Sequence, residues 1–165
     1  MDRRSRDRRS ITPGVYTGTS GADTLFGGSG NDTLIGGAGA DTYVAGNGSG
    51  ADIVDNTGHA ADGDKLLFGG GIAIDQLWFQ QAANDLKVSV IGTTDSVTVS
   101  GWFASAANHV ATVQTADGHT LADAQVQNLV NAMASLAPPA AGQTTLTMQE
   151  HQQLDTVIAA SWQSH

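Results

Sequence analysis

The sequence predicts a mainly β chain: a stack of short parallel strands and tight turns, followed by an antiparallel meander and closed by two C-terminal helices. Three observations predict it. Asp23, Asp32 and Asp41 recur every nine residues, each behind a glycine-rich run. From residue 77 apolar and polar residues alternate with period two, and in the last 45 residues apolar side chains fall at helical spacing. A length of 165 residues leaves room for one domain or for two small elements sharing a core.

The first element, residues 1–16, is arginine-rich. Five of the seven cationic residues lie within MDRRSRDRRS. Two aspartates interrupt this run and no aromatic follows it, so it reads as a solvated, disordered start or a remnant of expression, not as a nucleic-acid or membrane arm. From residue 11 onward, 14 acidic residues face only Lys65 and Lys87, a balance of −12. Such a body repels nucleic acid and anionic membranes and attracts cations. No apolar run is long enough to span a membrane, and the start lacks the apolar core of a cleavable signal peptide. With 21 glycines and no cysteine, disulfides do not hold the chain together.

The second element, residues 17–65, carries the repeat. Aligned as nonapeptides, residues 18–44 read GTSGADTLF, GGSGNDTLI and GGAGADTYV, and a fourth copy, NGSGADIVD, follows from Asn47 after a two-residue insertion. The template is G-G-x-G-x-D-x-U-x, with Leu25, Leu34, Tyr43 and Val54 at the apolar position U. Repetition at this period signals a solenoid. Each unit joins a six-residue turn, which needs glycine, to a three-residue strand whose U side chain points inward while Thr24, Thr33 and Thr42 point outward. Two units make one coil, so turns two apart share an edge: Asp23 over Asp41 on one, Asp32 over Asp52 on the other. A further half coil would place Asp64 on the edge of Asp41 and complete a third site.

Between residues 18 and 64 there are seven aspartates and no Lys or Arg. Stacked turns of this kind repel unless a cation lies between them. Calcium suits carboxylate and carbonyl oxygens in irregular geometry. Magnesium demands a stricter octahedron, and zinc prefers His or Cys, which these turns lack. Four inward apolar side chains are too few to offset the backbone entropy of ordering the repeats, so the ion is structural. The bland alternative, a flexible Gly/Ser/Asp linker, does not explain an apolar residue two positions after every periodic aspartate.

The repeats resemble those of the RTX (repeats-in-toxin) family of parallel β-rolls, secreted proteins that hold calcium between such turns. The resemblance implies that Asp23, Asp32, Asp41 and Asp52 supply side-chain ligands, with backbone carbonyls such as those of Gly18, Ser20, Gly27, Ser29, Gly36 and Ala38 assisting. Thr19 departs from the template at the second glycine of the first copy, and the insertion before Asn47 puts the pairing of Asp32 with Asp52 in question.

The third element, residues 66–121, reads as a capping domain. Leu86, Val88 and Val90 alternate with Lys87 and Ser89, Val97 and Val99 alternate likewise, and AAND and GTTD supply turns. A strand near 110–114 leads into the tight-turn pair Asp117-Gly118. The stretch from about Asp64 to Leu121 looks like the haemolysin-type calcium-binding related domain that often follows RTX repeats.

The last element, residues 122–165, carries two helices. Val126, Leu129, Val130 and Met133 form one stripe, with Thr120 and Asp123 placed like a capping box; Leu154, Val157, Ile158 and Trp162 form the other, with Thr147 and Glu150 at its start. APPAAG links them. The resemblance implies that the final helix also serves as an uncleaved type I secretion signal, although SWQSH lacks the acidic and hydrophobic ending of some members.

No enzyme is expected. His59, His109, His119 and His151 share no helix-face or H-x-H spacing, and Asp75, Asp85, Asp95 and Asp117 read as solvated turn residues. No nucleophile motif or phosphate loop is present. Trp78 and Trp102 leave an adhesin-like, carbohydrate- or surface-binding module as the alternative, though their apolar neighbours favour packing. The expectation is a calcium-binding C-terminal module of a secreted bacterial protein, with calcium and the type I secretion apparatus as partners and neither nucleic acid nor stable membrane insertion involved.

Overall fold

The computed structural model describes residues 14–140 and 142–164. The arginine-rich run lies outside the described residues. The expected disorder through residue 16 is corrected at its end: Val15–Thr17 is strand β1, because Tyr16 is drawn under the roll and only 7% exposed.

Ten further strands follow: β2 (Thr24–Leu25), β3 (Thr33–Ile35), β4 (Thr42–Ala45), β5 (Ala51–Val54), β6 (Lys65–Phe68), β7 (Leu77–Ala82), β8 (Asp85–Val90), β9 (Ser96–Val99), β10 (Thr112–Thr115) and β11 (Thr120–Ala122). They form two mixed sheets, ordered β1-β3-β5-β9-β8-β7 and β11-β10-β6-β4-β2. Successive short strands alternate between the sheets and pair in parallel, β1 with β3 with β5 and β2 with β4 with β6. This arrangement fits a β-roll. The period of two explains its inside: Leu25, Leu34, Tyr43, Val54 and Leu66 are at most 1% exposed, while residues on either side of them face outward or lie at the margin.

The meander appears where the alternation placed it, with β7, β8 and β9 antiparallel. It is also continuous with the repeats, because β9 lies parallel to β5 and β10 parallel to β6. Both sheets therefore run on beyond the repeats without a break. Helix α1 (Asp123–Ala134) buries Val126, Leu129, Val130 and Met133 against β7 and against helix α2 (Met148–Ser161).

The capping box expected at Thr120 and Asp123 is absent. Thr120 belongs to β11, whose chain passes directly into the helix through Ala122 without a side-chain cap. At α2 the box does form, with Thr147 and Glu150 bonding reciprocally. Trp162 then meets Phe79 edge to face at 6.3 Å, and Gln163 bridges to Thr120, which ties the end of the chain to the second sheet.

Candidate metal centre

Each repeat turn ends in an aspartate immediately before a strand or, for Asp52, at its start, so strand register decides which carboxylates meet. Thr24 pairs with Thr42 and Thr42 with Lys65; Thr33 pairs with Ile53. Asp23, Asp41 and Asp64 therefore stack on one edge, Asp32 and Asp52 on the other. The insertion before Asn47 is absorbed in the loop after β4 and does not shift the register.

One hydrogen bond repeats down both stacks. The amide of Asp23 donates to Oδ1 of Asp41 (2.8 Å), that of Asp41 to Asp64 (2.7 Å), and that of Asp32 to Asp52 (2.9 Å). The amide of Gly14 donates in the same way to Asp32 (2.9 Å), so a half coil lacking an aspartate precedes the repeats. Asp64 stands where a further half coil would put it.

The second oxygen of these carboxylates behaves differently. Oδ2 of Asp32, Asp41, Asp52 and Asp64 is buried without a hydrogen-bond partner, in side chains at most 1% exposed. Burying a carboxylate oxygen unpaired is costly. Four such atoms in register mark places where positive charge is wanted. Asp23 is the exception, because its Oδ2 accepts from both the amide and the hydroxyl of Thr19. The residue that departs from the glycine template thus closes the first turn on itself.

Protonation reports the same imbalance. Burial pushes the Asp41 carboxyl up to about 6, helped by repulsion from Asp64, Asp23 and Asp62 and opposed by the Asp23 amide. Burial likewise lifts Asp52 to about 7, with repulsion from Asp32 and Asp95 adding to it and the Asp32 amide opposing, and it raises Asp32 against the pull of Gly14. Without a counter-charge these groups resist ionisation.

Main-chain oxygens complete the setting. A side chain at Gly37 would meet the Thr19 carbonyl oxygen at 2.8 Å, and one at Gly39 the Gly21 carbonyl oxygen at 2.6 Å. On the other edge the Gly30 carbonyl faces Gly50. Gly27 and Gly36 are needed for another reason, since a Cβ there would overlap the carboxylates of Asp32 and Asp41. Of the six carbonyls named from sequence, that of Gly36 faces Gly18 across the gap between turns. Gly18 and Gly27 open their turns, and Ser20, Ser29 and Ala38 lie two residues into them. The carbonyls of Thr19, Gly21 and Gly30, which face the adjoining turn, drew no expectation from sequence. Their signal was the glycine at the second and fourth template positions of the adjoining turn, which leaves them room.

Among the described residues no three His, Cys, Asp or Glu side chains converge on one point. An ion here must take much of its shell from backbone oxygen. That donor set fits calcium and does not fit zinc.

Sequence reasoning misplaced one further acid and passed over another. Asp95, expected to be solvated, is 7% exposed and accepts from the amides of Gly48 (2.8 Å) and Gly50 (2.9 Å). Asp62, which drew no assignment, accepts from the Gly39 amide and pairs with His59. Asp85 is also engaged, accepting from Gly101 at 2.7 Å, whereas Asp117 stays exposed in its turn. Trp78 and Trp102 are 2% and 3% exposed, so neither offers a face to a sugar. The four histidines named above each pair with an aspartate, His109 with Asp123 while stacking on Trp102. Among the described residues no helix is long and apolar enough to cross a membrane.

Comparison with known families agrees with this chemistry. Residues 17–52 match the RTX calcium-binding nonapeptide repeat (4 copies), and residues 85–125 match the haemolysin-type calcium binding protein related domain. Both families are calcium-protein modules without a catalytic role of their own, and repeats of this kind are typical of secreted proteins. The chain carries the nonapeptide repeats and the related domain of RTX haemolysin-type calcium-binding proteins, and calcium is the ion that the repeat family binds.

Proposed function

We propose that this chain is a calcium-dependent folding module that acts as the C-terminal part of a secreted protein. The observation that carries the reading is the set of four buried, unpartnered Oδ2 atoms stacked in register. Asp32, Asp41, Asp52 and Asp64 would hold calcium between adjacent turns, with main-chain oxygens of the turns above and below; Asp23, closed by Thr19, contributes least. Bound calcium supplies the positive charge that the repeats lack.

The rest follows from linkage. Where calcium is scarce, carboxylate repulsion keeps residues 17–65 open and able to thread through a type I secretion channel. Where it is plentiful, a folded state that binds and an unfolded state that does not shift the equilibrium toward closure. Residues 66–121 cap the roll, and residues 122–165 close the core and carry the export signal. The adhesin reading loses its support with the burial of both tryptophans. Chemistry on a substrate has no place in this scheme.

A circular dichroism titration tests it. Chelator-treated protein should gain β signal on adding calcium, with magnesium far less effective. Equal β content in EDTA and in millimolar calcium would refute the proposal.

A further inference from the structure

The two edges of the roll end differently. Below Asp41 the stack continues, with Asp64 in register and Asp62 two residues before it. Below Asp52 the register position is taken by Val97, whose side chain has no oxygen, and two residues before it stands Asp95. The fourth repeat turn, residues 47–52, thus has no further aspartate beneath it.

Asp95 fills that place. It comes from the loop between β8 and β9, 45 positions beyond Gly50 in sequence, and both of its oxygens are used: Oδ1 accepts from Gly50 at 2.9 Å and Oδ2 from Gly48 at 2.8 Å. Those two glycines adopt positive φ, 84° and 85°, so the turn is one that many chains could leave for other shapes. The loop holds Asp95 in turn, for the amide of Asp95 donates to the Thr93 hydroxyl and its carbonyl accepts from Val90. The amide of Ser96 reaches back to the Gly50 carbonyl at 3.0 Å. A buried carboxylate with two amide donors is a stiff, charge-assisted clasp.

We infer that Asp95 is a positioning residue for the ion site between the Asp32 and Asp52 turns, fixing the 47–52 turn from the meander side in place of a further repeat. This rests on the calcium reading above. It assigns to the post-repeat segment a direct part in the affinity of one edge: the meander must be folded before that edge is preformed, whereas the Asp23–Asp41–Asp64 edge contains its own continuation.

The test compares calcium binding by isothermal titration in the wild type, Asp95→Ala, Asp95→Asn and Asp155→Asn, the last a same-charge control on the exposed face of α2. Amide hydrogen exchange across residues 47–52 and 36–41 is followed in saturating calcium. Asp95→Ala should weaken one class of site about tenfold or more, since two amides lose a charged acceptor, and should raise exchange at Gly48 and Gly50 while Gly37 and Gly39 stay protected. Asp95→Asn keeps one acceptor and should lie between Ala and wild type, and Asp155→Asn should match wild type.

Wild-type affinity at every site in Asp95→Ala overturns the inference, as does Asp95→Asn no better than Asp95→Ala, which would assign the effect to charge alone. If Asp95→Ala does not fold, Asp95→Asn against Asp155→Asn decides in the same way. A wild-type chain that binds no calcium would sink the functional reading itself, a distinguishable failure.

Discussion

The repeat turns and the segment after Leu77 share the same two sheets yet are stabilised by different means. In the repeats each strand turns one large apolar side chain inward, and four buried carboxylate oxygens are left without partners. After Leu77 the meander strands β7, β8 and β9 bury two or three apolar residues each, among them Phe79, Leu86, Val88 and Val99 at full burial, and two helices add Val126, Leu129 and Leu154. One region has little apolar surface and much charge of one sign; the other is built mainly on apolar burial. On the proposed reading, continuous hydrogen-bonded sheets join an ion-dependent element to an ion-independent one, the second serving as a template for the first.

Calcium removal should break the comparison most visibly. In EDTA, residues 18–64 should lose hydrogen-exchange protection while β7, β8 and α1 keep theirs, and uniform loss across the chain would show that the regions are not separable. The converse perturbation is Phe79→Ala. Phe79 is fully buried and packs on Trp162, so the change should cost about 3–5 kcal/mol by denaturant unfolding even in saturating calcium.

Within the roll, Asp41 and Asp23 sharpen the contrast. Asp41 receives the Asp23 amide, keeps a bare Oδ2 and donates its own amide to Asp64, whereas the Asp23 carboxylate is answered by Thr19. Asp41→Ala should lose at least one ion site, about 2.7 kcal/mol when calcium is 100-fold above its dissociation constant. Asp23→Ala should cost about 1 kcal/mol. Equal melting temperatures and equal calcium stoichiometry in the two variants would contradict the assignment.

Acidity offers a milder probe. Burial raises Asp41 to about 6 and Asp52 to about 7 in the ion-free roll, above the ordinary carboxylate value of 3.8. A raised folded-state pKa means that the contribution to stability is full below the unfolded value and is lost as pH rises through 6 and 7. Ion-free protein should thus gain β signal on acidification from pH 7.5 to 5. Calcium affinity should move oppositely, since ligands must be deprotonated. A flat dichroism profile in EDTA over that window would contradict the burial argument.

Much of this was legible in the sequence because the repeat couples spacing to chemistry. A nine-residue period with an apolar residue two after each aspartate fixes strand face, turn edge and carboxylate stacking together, and Asp64 could be placed by extending the count. What was hidden depends on long-range contact. Asp95 sits in GTTD, an unremarkable turn by local rules, and only the parallel pairing of β5 with β9 brings it under Gly48 and Gly50. Thr19 departs from the glycine template, yet its amide and hydroxyl both donate to Asp23. Thr120 and Asp123 have the spacing of a cap, but strand pairing with β10 claims Thr120 first, an instance of tertiary structure overriding a local signal. Thr147 and Glu150 carry a similar local signal with no strand to compete for them, and there the local rule holds.

That cap gives the smallest expected effect. Thr147 Oγ1 accepts from the Glu150 amide at 3.1 Å, and Glu150 Oε1 accepts from the Thr147 amide and from Gln143, each at 2.8 Å. Thr147→Ala removes one arm of this box at an exposed helix start, which costs about 1 kcal/mol and for a chain of this size lowers the melting temperature by roughly 2–4 °C. Its value lies in where the loss should stop. Helix α2 packs on α1 and the turn at Ile74–Gln76, and the residues after it reach Phe79 and Thr120, all outside the repeats, so calcium stoichiometry and affinity should stay at wild-type values while the melting temperature falls. A Thr147→Ala chain that also bound calcium more weakly would mean that the helical end and the ion sites share one cooperative unit, and the division between the two regions would have to be redrawn.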